Sequence, residues 1–167
     1  MAEKLHPRYF VLRYGIAAAE IEKRFGIPRA ATLAQAAIES SWGSNAPGYN
    51  FFGYKTGLSW DGKRQLLWTT EYHSTPNVKY PVIKSITKHA NGYYKYIVKD
   101  YFRAYDHPYQ SFYDYALLIA LNKRYEGAFK YSDPADFLAT VYRSGYATDP
   151  AAIQLARQVV NMIEKYA

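Results

Sequence analysis

Twenty-five consecutive residues, Ala30 to Tyr54, carry a single charged side chain, Glu39. The chain as a whole is 21% charged, so average usage would place about five charges in such a stretch. A segment this poor in charge cannot be a solvated surface, and Glu39 must be retained there for a reason. The first half is Ala-rich and reads as a helix. Pro28 suits its start, where a missing N–H costs nothing. Leu33, Ala34, Ala37, Ile38 and Ser41 recur at the helical period and give an apolar stripe, with Thr32, Gln35, Glu39 and Trp42 on the other side. Gly43 is expected to end the helix, which places Glu39 in its last turn. There the helix dipole and neighbouring aromatic surface both disfavour a carboxylate. A carboxyl that keeps its proton near neutral pH is what a general acid needs. A lone Glu on an amphipathic helix is more often a plain surface residue; the missing charges and the aromatics that follow weigh the other way. Those aromatics, Tyr49, Phe51, Phe52 and Tyr54, lie in a loop-like segment that runs to Gly57, and they must either bury themselves or line a site.

Helical spacing also marks His6 to Phe25, through Phe10, Val11, Tyr14, Ala17, Ala18, Ile21 and Phe25. Gly26 stops this first helix. Arg64 to Tyr72 and Gly92 to Tyr105 are rich in β-formers and could pair as an antiparallel ribbon. Pro76 and Pro81 argue against a continuous central strand between them, and Asn91-Gly92 fits a hairpin turn. Helices return after that. Pro108 opens one that reaches about Asn122, with Phe112, Tyr115, Ala116, Leu118 and Ile119 inward. Asp133-Pro134 opens a second, to about Arg143. Asp149-Pro150 opens the last, with Ile153, Leu155, Ala156, Val159, Val160 and Ile163 on its apolar face. The expected fold class is α+β, mostly α. A single domain over 1–167 is expected, with a helical body at about 6–57 and 106–167 and a small β-lobe at about 58–105.

Composition narrows the chemistry. The 19 Tyr residues offer flat apolar faces with a hydroxyl, which suits sugar rings. A net charge of +7 suits a polyanionic partner such as an acidic cell wall. Basic residues are scattered with no run of three, so nucleic-acid binding is not expected. Cysteine is absent, which removes disulfide and thiolate chemistry. His6, His73, His89 and His107 are not at ligand spacing, so neither a metal nor a cofactor is expected. The opening MAEKLHPRYFVLRYG shows no signal-peptide apolar block, and no apolar run is long enough for a membrane span.

A helical body with a small β-lobe resembles the architecture of lysozyme-like enzymes, where a cleft runs between the two. The segment LAQAAIESSWGSNAPGYNFFGYKTG also resembles the signature of glycoside hydrolase family 73, the endo-β-N-acetylglucosaminidases of bacterial cell walls, flagellar and autolysin types included. KDYFRAYDHPYQSFYDYALLI, NKRYEGAF and SGYATDPAAIQLARQVV resemble further blocks of that family in the family's order. The resemblance implies a lysozyme-like body with a β-hairpin lobe. It implies that Glu39 is the general acid and that Glu71, in Thr70-Glu71-Tyr72, is the second carboxylate. It places Tyr146 of GYATDP at the active site, and Asn50, Phe51 and Phe52 in the loop beside the acid. Trp42 and Tyr72 are the remaining candidates for substrate contact. In one respect the chain departs from the pattern: family hairpins turn soon after the second Glu, whereas about thirty residues separate Glu71 from Phe102.

The implied partner is the peptidoglycan glycan strand, and the implied place of action is the bacterial cell wall, periplasmic or extracellular, by an export route the sequence leaves open. A monomer is expected. A lytic transglycosylase or muramidase shares a catalytic Glu at a helix end, and a wall-binding module could keep the groove without the chemistry; both remain open alternatives on sequence grounds.

Overall fold

The computed structural model describes residues 3–167, which form two compact units. One joins the residues up to Gly53 with Tyr105–Ala167 and is helical; the other, Tyr54–Ala104, holds the strands.

The helical unit is built around its second helix. Helix α1 spans Pro7–Phe25 and ends at Gly26, whose φ of 70° is the left-handed cap. Helix α2 spans Arg29–Glu39. It packs against α1, against α4 (Pro134–Val141) and against α5 (Pro150–Glu164). Helix α3, Pro108–Leu121, packs on α1. With neighbours on three sides, α2 is buried all round: every residue from Ala30 to Ala37 is inaccessible or nearly so, Thr32 and Gln35 included. The expected polar side of this helix is therefore not solvated before its last turn. Five alanines keep the helix thin enough for close approach on several sides at once. Pro108, Pro134 and Pro150 each open a helix, and Asp133 and Asp149 cap two of them by accepting from Asp136 N and Ala151 N. Leu118 and Leu155, expected inward, are exposed.

Rings from α1, α3 and the loop at 51–52 meet in a knot. Phe112 is fully buried, with Phe51 at 5.4 Å, Phe52 at 5.8 Å and Tyr14 at 6.3 Å between ring centroids. Phe52 in turn stacks on Tyr115 at 4.5 Å. Edge-to-face and offset pairs of this kind add to the burial term.

The strand unit is a three-stranded antiparallel sheet in the order β1 (Arg64–His73), β3 (Tyr94–Arg103), β2 (Val82–Lys88). The pairing of β1 with β3 matches the sequence expectation. A single hairpin does not, because β2 occupies the long interval after Glu71. Pro76 and Pro81 precede this strand, and it runs along the sheet edge, where prolines interrupt no central ladder. The β2–β3 turn closes at Asn91-Gly92, with Gly92 at φ 86°. Tyr54–Thr56 belongs to the sheet, not to the helices, since Arg103 N donates to Tyr54 O and Thr56 N to Tyr101 O. Tyr96 and Val98 of β3 are the buried centre of this unit. The segment between β1 and β2 folds over Tyr96: its hydroxyl donates to Thr75 O at 2.8 Å, and His73 and Tyr80 are bonded at 2.6 Å.

Phe112→Ala is expected to cost about 3–5 kcal/mol, a large share of the roughly 5–15 kcal/mol a domain of this size has. Thermal unfolding of the variant, read by near-ultraviolet circular dichroism, should fall well below the parent; an unchanged midpoint would show that the ring knot does not hold this unit together.

Candidate active site

Glu39 is the last residue of α2, and the chain leaves it through an unusual turn. Ser41, Trp42 and Gly43 have φ values of 50°, 58° and 83°. Two successive non-glycine residues in the left-handed region cost on the order of 1–3 kcal/mol each, and the turn persists because it is tied from several directions. The Ser40 hydroxyl donates to Ala36 O at 2.6 Å and accepts from Gly43 N at 2.9 Å. Trp42 N donates to Ala37 O, and Asn45 N to Ser40 O. The helix thus stops at Glu39, four residues before Gly43, because Ser40 offers the backbone partners that a further turn would have supplied.

Gln35 stands one turn earlier on the same side of α2. Its Nε2 donates to Glu39 Oε1 at 2.8 Å. Gln35 is fully buried, while Glu39 keeps an exposed edge. The carboxyl is therefore anchored from the protein side and open to solvent on the other. Protein packed along its flanks desolvates it enough to raise its pKa, and the bond from Gln35 pulls the other way. Burial raises Tyr142 as well, and strongly; the Glu39 charge adds to this and the Gln35 amide opposes it. Tyr142 therefore remains a neutral O–H donor beside the acid. Tyr146 stacks on Tyr142 at 5.8 Å and 13°, with Tyr115 and Tyr125 at its edges. Gly145, at φ 114°, lets the chain return between them, and a Cβ there would meet the Arg124 guanidinium at 3.2 Å. Glu39, Gln35, Tyr142 and Tyr146 form one connected cluster.

Four of the expected substrate contacts lie elsewhere. Trp42, Phe51, Phe52 and Asn50 are 8%, 1%, 6% and 4% exposed. Trp42 meets Phe10 edge-on at 5.5 Å, and Phe51 N donates to the buried Ser111 hydroxyl. None of the three aromatics presents a face on which a sugar could stack; all three are core residues. Within the strand unit, Glu71 is held by Lys55 Nζ at 2.7 Å and by the Thr69 hydroxyl at 3.0 Å. The same ammonium reaches Asp100 at 3.1 Å. Desolvation would lower the pKa of Lys55, but the bonds and charges of Glu71 and Asp100 outweigh it and raise it. Tyr72 follows Glu71 in the strand and so points to the opposite face, where it is exposed. Among the described residues, no group of three or more His, Asp and Glu side chains converges.

Sequence reasoning missed Gln35, Tyr142 and Lys55. Gln35 had a signal, being four residues before Glu39. Tyr142 had none, because its place depends on the wide turn over Tyr142–Tyr146 that follows α4.

Residues 15–167 match the glucosaminidase family, described as mannosyl-glycoprotein endo-beta-N-acetylglucosaminidase. The chain belongs to this family, glycoside hydrolase family 73. The peptidoglycan hydrolase FlgJ of Pseudomonas aeruginosa is 31% identical over 152 residues, which are 86% of this chain and 34% of that protein. This glucosaminidase domain thus spans about a third of that relative's length. The C-terminally truncated glycoside hydrolase domain of Salmonella typhimurium FlgJ superposes with a TM-score of 0.76 at 27% identity, covering 97% of this chain and 100% of that one. A peptidoglycan hydrolase mutant from Sphingomonas sp. A1 gives 0.70 at 30% identity, covering 95% and 97%. The glucosaminidase fold is therefore mostly helical with a small antiparallel sheet, as its lysozyme-like relatives are.

The raised pKa of Glu39 has a consequence for stability. Between the ordinary carboxyl value of 4.5 and its raised folded value, the folded chain holds a proton that the unfolded chain has released. Stability from this group is complete below 4.5 and is lost as pH rises through the folded value. Glu39→Gln should therefore melt at or above the parent temperature at neutral pH, with the difference disappearing in acid. Differential scanning calorimetry of both proteins across that range checks the sign.

Proposed function

We propose that this chain hydrolyses the β-1,4 bonds of peptidoglycan on the N-acetylglucosaminyl side, at the bacterial cell wall, with Glu39 as the general acid. The observation that carries this reading is the placement of Glu39: the only charge between Ala30 and Tyr54, at the end of a buried helix, partly desolvated, bonded to Gln35, and still open to solvent. Cleaving a glycosidic bond requires a proton for the departing oxygen, and a carboxyl with a raised pKa supplies it. Its neighbours fit this role. The Tyr142 hydroxyl, kept protonated, can donate to Glu39 once that residue has lost its proton. Tyr146, stacked on Tyr142, is assigned to orient the sugar beside the acid. The family and the peptidoglycan-hydrolase relatives support the substrate class.

Glu71 is assigned as the second carboxylate. The Lys55 ammonium and the Thr69 hydroxyl fix its orientation, which suits a group that must steady an oxocarbenium-like centre or position water. The competing source of that help is the substrate's own 2-acetamido group.

Glu39→Gln should lower wall lysis by about 10²–10⁴, with wall binding retained. More than a tenth of parental activity would remove Glu39 from the role. Mass spectrometry of the parent's digest should show reducing N-acetylglucosamine ends; reducing muramyl or anhydromuramyl ends would identify a muramidase or a transglycosylase instead.

Glu71→Gln and Tyr146→Phe divide the remaining work. A strong fall in kcat for Glu71→Gln with an unchanged melting temperature assigns water activation to Glu71. A mild effect there with a larger loss for Tyr146→Phe assigns it to the acetamido group, oriented by the tyrosine. Parental rates in both variants would remove both residues from the site.

A further inference from the structure

The chain's positive charge is not evenly spread. Tyr54–Ala104 contains nine Lys and Arg against three Asp and Glu. That surplus of six is nearly the whole net charge of +7. The sheet then sorts its charges by face. Glu71 and Asp100 lie on the face that carries buried Tyr96 and Val98, and both are tied to Lys55. The opposite face of β1 presents Leu66, Trp68 and Tyr72, all exposed. Across from them stand Tyr101, Lys99 and Lys95 of β3. No Asp or Glu occurs on this face.

Trp68 is its centre. It is 53% exposed, and two ammonium groups lie against its ring, Lys99 at 5.1 Å and Lys84 at 5.9 Å from the centroid. Lys84 arrives there through a break in register between Ile83 and Ser85 on β2. A bulge of this kind re-aims one side chain. Arg64, next to them on β1, covers Tyr101 at 4.5 Å. A half-exposed indole with two lysine ammonium groups over its ring, on a strand face free of acid, combines apolar surface for a sugar ring with cations for carboxylates.

We propose that this face is a second, non-catalytic binding surface for intact peptidoglycan, with Trp68 stacking on a glycan ring and Lys84 and Lys99 pairing with free carboxylates of the stem peptides. The proposal rests on the wall-hydrolase reading above. It assigns the charge surplus to retention on an insoluble substrate, separate from the chemistry at Glu39. Lys84 is exposed and Lys99 half-buried, so both are reached by salt and retention should weaken as salt rises.

The test uses the full chain carrying Glu39→Gln, so that binding is read without lysis. Its retention on purified sacculi is compared with that of the same protein bearing Trp68→Ala, Lys84→Gln/Lys99→Gln or Lys84→Glu/Lys99→Glu. The glutamine pair guards against any misfolding caused by charge reversal, and melting temperatures are measured for all. Retention should fall about tenfold for the glutamine pair and further for the glutamate pair. Carbodiimide amidation of the sacculi should reduce parental retention in the same way. With Glu39 restored, each variant should cleave a short soluble glycan at the parental rate and intact sacculi more slowly. Equal retention by all variants, or indifference to amidation, overturns the proposal. So does a loss of duplex DNA binding with sacculus retention intact, which would make the face a nucleic-acid surface. Lysis that survives Glu39→Gln would instead defeat the assignment of the acid, whatever the sheet face does.

Discussion

The structure depends on a helix that can be enclosed on all sides and still end in a carboxyl. Helix α2 has α1, α4 and α5 against it, and its residues from Ala31 to Ala37 meet no solvent. A single additional charge in that span would have to be desolvated without a partner, at a cost of several kcal/mol. The absence of charge is therefore a condition of the packing. Glu39 is tolerated because the helix stops there, and the left-handed turn through Ser41 and Trp42 takes the chain away and leaves the carboxyl an open edge.

The same enclosure sets the chemistry. Protein on the flanks of Glu39 holds water away and favours the protonated form, while Gln35 keeps the oxygen in place at a bond length of 2.8 Å. The two influences act in opposite directions on the pKa, so the group is positioned without being pinned in the charged state. Trp42, Phe51 and Phe52 belong to this arrangement as supports. Their rings are buried against Phe10 and Tyr115 of the flanking helices, and a residue used in that way cannot also stack on a sugar.

The sheet follows a different logic. It has few buried side chains, and its order comes from β3 pairing on both edges and from the segment that closes over Tyr96. Its acids are matched to Lys55 on one face, and Lys84, Lys95 and Lys99 are left on the other. Its two sides differ in burial and in charge alike: Tyr96 and Val98 are buried on the acid-bearing face, and Trp68 and Tyr72 are exposed on the other.

Much of this was legible in the sequence. Gly26, Pro108, Asp133-Pro134 and Asp149-Pro150 mark helix ends through backbone restrictions and caps that act locally, and the structure places the ends there. The charge-free stretch singled out Glu39, because burial demands that composition wherever it occurs. The pairing of β1 with β3 followed from two β-rich runs. What the sequence could not decide depends on neighbours far along the chain. Whether Trp42 is a sugar platform or a core residue is set by Phe10, thirty-two positions earlier. Whether the Pro81 segment holds a strand is set by the free edge of β3, since an edge tolerates what a central position does not. That Tyr142 stands beside Gln35 and Glu39 is decided by α4 packing on α2 and by the wide turn after it. Local restrictions on the backbone are written residue by residue, whereas burial, pairing partner and ionisation belong to whatever the folded chain brings alongside.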